Sequence, residues 1–185
     1  MDTPSSIVIG VGTELRGDDG FGAAVIEALR DRPGLGGRVV LARCDGEPSR
    51  MIDLWDGYEY AVVVDAVRGG TERYGFLYRR DLGTGVLGEP RGNSHAAGLG
   101  AAVRLAEVLG RLPGRLILYA VHGHDFTLGA PLSGPVAAAV PELVDRISLE
   151  VFAGVFAHGP RAESPGATAA YGPGANGRSR GSLMV

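Results

Sequence analysis

Hydrophobic positions along the chain alternate between short continuous runs and runs at helical spacing. Ile7–Val11 is apolar and closed by glycine, which predicts a buried strand. Phe21, Val25, Ile26 and Leu29 then recur at helical spacing, predicting a helix over Gly20–Asp31 that Pro33-Gly34 stops. Val39–Ala42 reads as a second strand and Ser49–Trp55 as a short helix. Tyr60–Val67 holds a continuous apolar run interrupted by one acid and is the strongest strand signal in the chain. Tyr74–Tyr78 predicts a further strand near an edge, and Gly83–Ser94 a glycine-rich loop. Leu99–Leu109 reads as a helix, Leu116–Val121 as a strand, and Gly134–Phe156 as mostly helical, kinked or split at Pro141.

Strands alternating with helices predict an α/β layered domain with a largely parallel sheet. That domain is expected over residues 1–157. From His158 onward Gly, Ala, Pro, Ser and Arg dominate without apolar period, so residues 158–185 are expected to form a disordered tail.

Composition narrows the function classes. Hydrophobic residues make up 45% of the chain and charged residues 21%, enough apolar material for a core. The net charge of −3 and singly scattered arginines give no support to a nucleic-acid partner. Cys44 is the only cysteine, which rules out a disulfide within the chain and a Cys-rich metal site. A single thiol on a predicted strand reads as a small buried hydrophobe. No apolar run approaches the ~18–20 residues needed to cross a bilayer. The start, Met1–Ser6, is polar and leads into a strand, so no signal peptide or membrane insertion is expected and the expected location is the cytoplasm.

The segment from Gly10 to Gly22 joins a strand to a helix and is rich in glycine, which lets backbone approach a ligand closely. A dinucleotide turn is a natural comparison, but the third glycine of that fingerprint is replaced by Leu15. Asp18 and Asp19 also stand just before the helix, where a pyrophosphate would meet like charge. Either acid could cap the helix. One cap explains one acid and leaves the other unexplained.

Asp65 ends the strongest strand, and in open parallel sheets ligands gather beyond the carboxyl ends of the strands. The loop after the first strand, hence Asp19, reaches the same edge. His95 stands just ahead of the third main helix. Two carboxylates and one imidazole make an open site for a divalent transition metal such as nickel or zinc. His122 and His124, two apart, would share a face if their strand continued that far, and with Asp125 they form a competing zinc candidate. A loop past a strand end carries polar residues routinely, which is the plainer explanation of that group.

The residues from Gly10 to Gly22 resemble the opening signature of the hydrogenase maturation proteases. Asp45-Gly46, Val64-Asp65-Ala66-Val67 and Ser94-His95 followed by Gly98-Leu99 are similar to its later landmarks, in order, over roughly Ile7 to Ile147. Thr13 departs from it, since the family usually has asparagine there.

The resemblance implies a twisted sheet of about five strands between helices. It implies an endopeptidase, of a family classed as aspartic-type, that removes a C-terminal peptide from the precursor of a nickel–iron hydrogenase large subunit. Asp19, Asp65 and His95 match its metal ligands, Asp19 and Asp65 being also the candidate catalytic acids. The nickel would be supplied by the precursor, with no organic cofactor. A carboxylate acting as general base, or water activated at the metal, is chemically adequate for the cleavage. The alternative is a non-proteolytic metal- or nucleotide-binding protein on the same scaffold.

Overall fold

Seven successive buried residues, Tyr60 to Ala66, require a strand covered on both faces, and the fold is arranged around it. The structure is a computed structural model that describes residues 5–68, 73–82 and 94–153, without the side chains of 94–97. Its strands are β1 (Ser6–Val11), β2 (Val40–Cys44), β3 (Tyr60–Arg68), β4 (Leu77–Asp81) and β5 (Arg115–Gly123). Its helices are α1 (Phe21–Arg30), α2 (Pro48–Trp55), α3 (Ser94–Leu109) and α4 (Gly134–Phe152), with a 3-10 turn at Gly17–Gly20 ahead of α1.

The sheet order is β2-β1-β3-β5-β4, parallel except for β4, which runs antiparallel to β5. The expected α/β sandwich with a mostly parallel sheet of about five strands is what the structure has. Alternation along the strands divides the core. Val8, Val62, Val64, Tyr119 and Val121 pack beneath α1 and α4 against Phe21, Ile26, Leu143 and Ile147. Ile7, Ile9, Ala61, Val63 and Leu116 face the other way, onto Met51, Ile52, Trp55, Leu99 and Val103 of α2 and α3. Each such large aliphatic side chain contributes about 1.5–3 kcal/mol when fully buried.

Several boundaries differ from the sequence expectation for identifiable reasons. The strand expected at Tyr74–Tyr78 lies at Leu77–Asp81, because Gly75 adopts φ +81° and turns the chain before it. The helix expected from Leu99 begins at Ser94, so His95 sits in its first turn rather than ahead of it. Pro141 lies inside α4, which runs unsplit to Phe152. β5 continues to Gly123 and includes His122. Glu47 caps α2, accepting from the N–H groups of Ser49 and Arg50 at 3.2 and 3.0 Å, with Pro48 opening the helix. Most of the expected loop at 83–94, and the expected tail from His158, lie outside the described residues. Among the described residues, no helix is long and apolar enough to cross a membrane.

Candidate active site

The carboxyl ends of β1 and β3 are where the chain order reverses: β1 leads out to β2, and the chain then crosses back to β3 on the other side. Such a reversal leaves a crevice between the two strand ends. Gly10 pairs with Val64, so Asp65 stands one residue further out, level with Val11. It shares the face of Ala61 and Val63, the face that α2 and α3 cover.

Asp19 arrives from the 3-10 turn, and its approach depends on two glycines. Gly12 has φ +118°, and a side-chain carbon there would lie 2.1 Å from the Asp19 carbonyl oxygen. Gly22 lets the first turn of α1 settle onto the strands, since a carbon there would lie 2.5 Å from the Val11 oxygen and 2.8 Å from that of Val64. Thr13 donates its backbone N–H to Asp19 Oδ2 at 2.9 Å. Because the contact is through the backbone, the departure at Thr13 leaves it intact.

Asp19 and Asp65 are 1% and 2% exposed, so both carboxyls are withdrawn from bulk water. Burial pushes the pKa of Asp65 up to about 7; the Ala66 N–H, donating to its Oδ1 at 2.7 Å, pulls it down, and the charge of Asp19 raises it further. The two acids therefore sense one another. A buried acid near 7 at a strand end, with a second buried acid acting on it, marks a candidate functional site.

Asp18, the other acid of the pair, does something else. Neither acid caps α1, whose first-turn cap is Gly20 without a side-chain bond. Asp18 accepts at Oδ2 from the N–H groups of His124 and Asp125, at 2.7 and 2.9 Å, and from the Ser133 hydroxyl at 2.9 Å. Its Oδ1 accepts from the Ser133 N–H at 2.6 Å. It fastens the segment between β5 and α4 to the turn that carries Asp19. The two adjacent acids thus divide into a clamp and a candidate site residue. Both are buried in the turn where a pyrophosphate would have to lie.

His95 is the second residue of α3, and its side chain lies outside the described residues. Its backbone position is informative. α3 ends at Leu109, shortly before β5 begins at Arg115, so the far end of the helix reaches the carboxyl edge. Gly98 fixes the contact there: a side-chain carbon on it would stand 2.9 Å from the Gly46 oxygen, in the loop that follows β2. The first turn of α3 and the carboxyls of Asp19 and Asp65 therefore meet at one edge of the sheet.

The competing histidines are occupied otherwise. The His122 ring stands 5.5 Å from that of Tyr78 and 6.3 Å from that of Phe76. The His124 ring meets Tyr74 edge-on at 4.4 Å. Asp125 closes a turn by accepting the Thr127 N–H at 2.9 Å. Among the described residues no three His, Cys, Asp or Glu side chains are placed to hold a metal ion together, which removes the zinc candidate built on His122, His124 and Asp125. Cys44 is buried, which raises its pKa, and its sulfur accepts the Gly46 N–H at 3.2 Å.

Tyr78 was not a candidate from the sequence. Asp65 pairs with Ala120 and Ala120 with Tyr78, so all three lie in one row across the sheet. Ala120 offers only a methyl between the acid and the phenol. Burial raises the pKa of the Tyr78 hydroxyl and the charge of Asp65 adds to it, so Tyr78 belongs to the surroundings of the site. Only the cross-strand register could have found it.

No protein-family model matches the chain. It is 24% identical over 144 residues to the hydrogenase expression/formation protein HupD of Rhizobium leguminosarum bv. viciae, covering 77% of this chain and 71% of that protein. Its structure is similar to that of the hydrogenase maturating endopeptidase HybD from E. coli, with a TM-score of 0.64 and 21% identity over 80% of this chain and 93% of that one. The chain has the fold of the hydrogenase maturation proteases. The HybD [NiFe] hydrogenase maturation protease of Thermococcus kodakarensis is likewise similar, with a TM-score of 0.62 and 19% identity over 79% of this chain and 98% of that one. The resemblance carried by the segment from Gly10 to Gly22 therefore extends to the architecture: the maturation-protease fold sets the β1 and β3 ends, with Asp19 and Asp65, beside the first turn of α3.

Proposed function

We propose that the protein is an endopeptidase that removes the C-terminal extension from the precursor of a nickel–iron hydrogenase large subunit. The observation that carries this reading is the buried Asp19–Asp65 pair at the β1–β3 crevice of a maturation-protease fold. The precursor presents its nickel at this edge, and Asp19, Asp65 and His95 receive it. Two hard carboxylate donors and one imidazole suit nickel while leaving positions to the precursor's own ligands. Asp65, poised near pH 7, is also the group able to take a proton from the water that attacks the scissile carbonyl.

The test is incubation with nickel-loaded precursor, following loss of the extension by mass spectrometry. Cleavage is expected with nickel-loaded and not with nickel-free precursor. Asp19→Ala and His95→Ala are expected to abolish it, and undiminished cleavage by either would remove that residue from the site. Nickel affinity is expected to rise as pH increases through 7, where Asp65 loses its proton.

A further inference from the structure

Two loops are bound together beside Asp19. The Gly129 N–H donates to the Leu15 oxygen at 2.7 Å, the Gly17 N–H to the Ala130 oxygen at 3.0 Å, and the Asp18 N–H to the Asp125 oxygen at 2.7 Å. The four bonds accepted by the Asp18 carboxylate add to these. Gly17, at φ +58°, allows the contact, since a side-chain carbon there would lie 2.4 Å from the Asp125 oxygen. Arg16 Nε donates to the Phe126 oxygen at 3.3 Å on the same seam. The result is a stiff lip at the carboxyl edge.

That lip carries Leu15, 71% exposed, and Leu128, 77% exposed. A lone surface leucine needs no explanation. These two adjoin the Gly129–Leu15 hydrogen bond, on loops held by a buried carboxylate, and Leu15 precedes Asp19 by four residues. Loop tips are ordinarily polar, and among the described residues neither side chain belongs to a hydrophobic core cluster. A contact surface already rigid before binding loses little entropy when a partner covers it.

We propose that this lip docks the folded body of the precursor, Leu15 and Leu128 entering an apolar surface of that protein outside the segment that is cut. The inference rests on the endopeptidase reading, because a protein that brings its scissile segment to Asp19 and Asp65 lays its neighbouring surface on the lip. The occupant is a globular protein with a complementary apolar patch. Affinity for the precursor is thereby separated from the chemistry at the acids.

The experiment compares wild type with a variant carrying Leu15→Asp and Leu128→Asp, both full-length, on nickel-loaded precursor. KM is expected to rise at least about tenfold, with kcat, melting temperature and the binding of nickel alone unchanged. Precursor binding to the immobilised protein, read separately from cleavage, is expected to weaken in parallel. A variant that binds and cleaves within twofold of wild type overturns the docking role and leaves the endopeptidase reading standing. Wild type that binds but does not cleave overturns the endopeptidase reading, and the lip is then judged on binding alone. Wild type that neither binds nor cleaves overturns both. A wild-type dimer that the variant splits, with KM unchanged, assigns the leucines to a contact between copies and overturns the inference.

Discussion

The turn around Asp18 and the strand end at Asp65 bury carboxylates within the same edge of the sheet, and their surroundings differ. Asp18 is met by four donors from a segment more than a hundred residues away in sequence. Asp65 is met, among the described residues, by the N–H of its own neighbour Ala66 and by the negative charge of Asp19. At Asp65, burial and a second acid close by favour the proton. A saturated carboxylate shapes the fold, and an undersupplied one is left available for chemistry.

The largest loss of stability is expected from removing the clamp. Asp18→Ala removes the acceptor of three part-buried backbone donors and one hydroxyl and is expected to cost about 3 kcal/mol in denaturant unfolding. Cleavage should fall with it, because the turn carrying Asp19 is released.

Asp65→Asn is expected to act in the opposite direction on stability. The Asp65 carboxyl binds its proton more tightly in the folded chain, so its contribution to stability is present at low pH and is lost as pH rises from the ordinary 3.8 through about 7. The neutral amide is therefore expected to stabilise the protein at pH 8, by at most about 4 kcal/mol, with the gain vanishing toward pH 4. Melting curves at the two pH values read this directly. Cleavage is expected to drop at least about a hundredfold in the same variant. Lower stability of the variant at pH 8 would contradict the contrast with Asp18.

Gly12→Ala is expected to cost about 2–3 kcal/mol, since the backbone is left-handed there and the Asp19 carbonyl stands in the way. Cleavage should decline more than stability does, because the Asp19 turn is displaced. The smallest effect is expected from Thr13→Asn, within about 0.5 kcal/mol and without change in kcat, because Thr13 is exposed and serves Asp19 through its backbone. A large change there would mean that the side chain contributes to the loop.

What the sequence made legible follows from what local pattern encodes. The run of Tyr60 to Ala66 announced a central strand because only full burial tolerates it. Asp19 and Asp65 could be assigned to one edge because a parallel sheet sends every strand's carboxyl end to the same side. The division of labour between Asp18 and Asp19 was hidden, since the donors to Asp18 come from His124, Asp125 and Ser133. Tyr78 was hidden for a related reason: its place beside Asp65 depends on β5 lying between them, with a small residue at Ala120. The short strand β4 was misplaced because Tyr74 and Phe76 look like strand residues but flank a turn at Gly75.

The close approach of Gly98 to Gly46 has a consequence for metal choice. One hydrogen atom at Gly98 sets how near the first turn of α3 comes to the loop after β2, and His95 rides on that turn. On the reading that His95 meets the precursor's metal, the bite of the ligand set is calibrated at a position that touches no ligand. A single methyl at residue 98 would widen it by a few tenths of an ångström. A chain selected to receive a larger ion could reach that end by changing Gly98 and leaving all three ligands as they are.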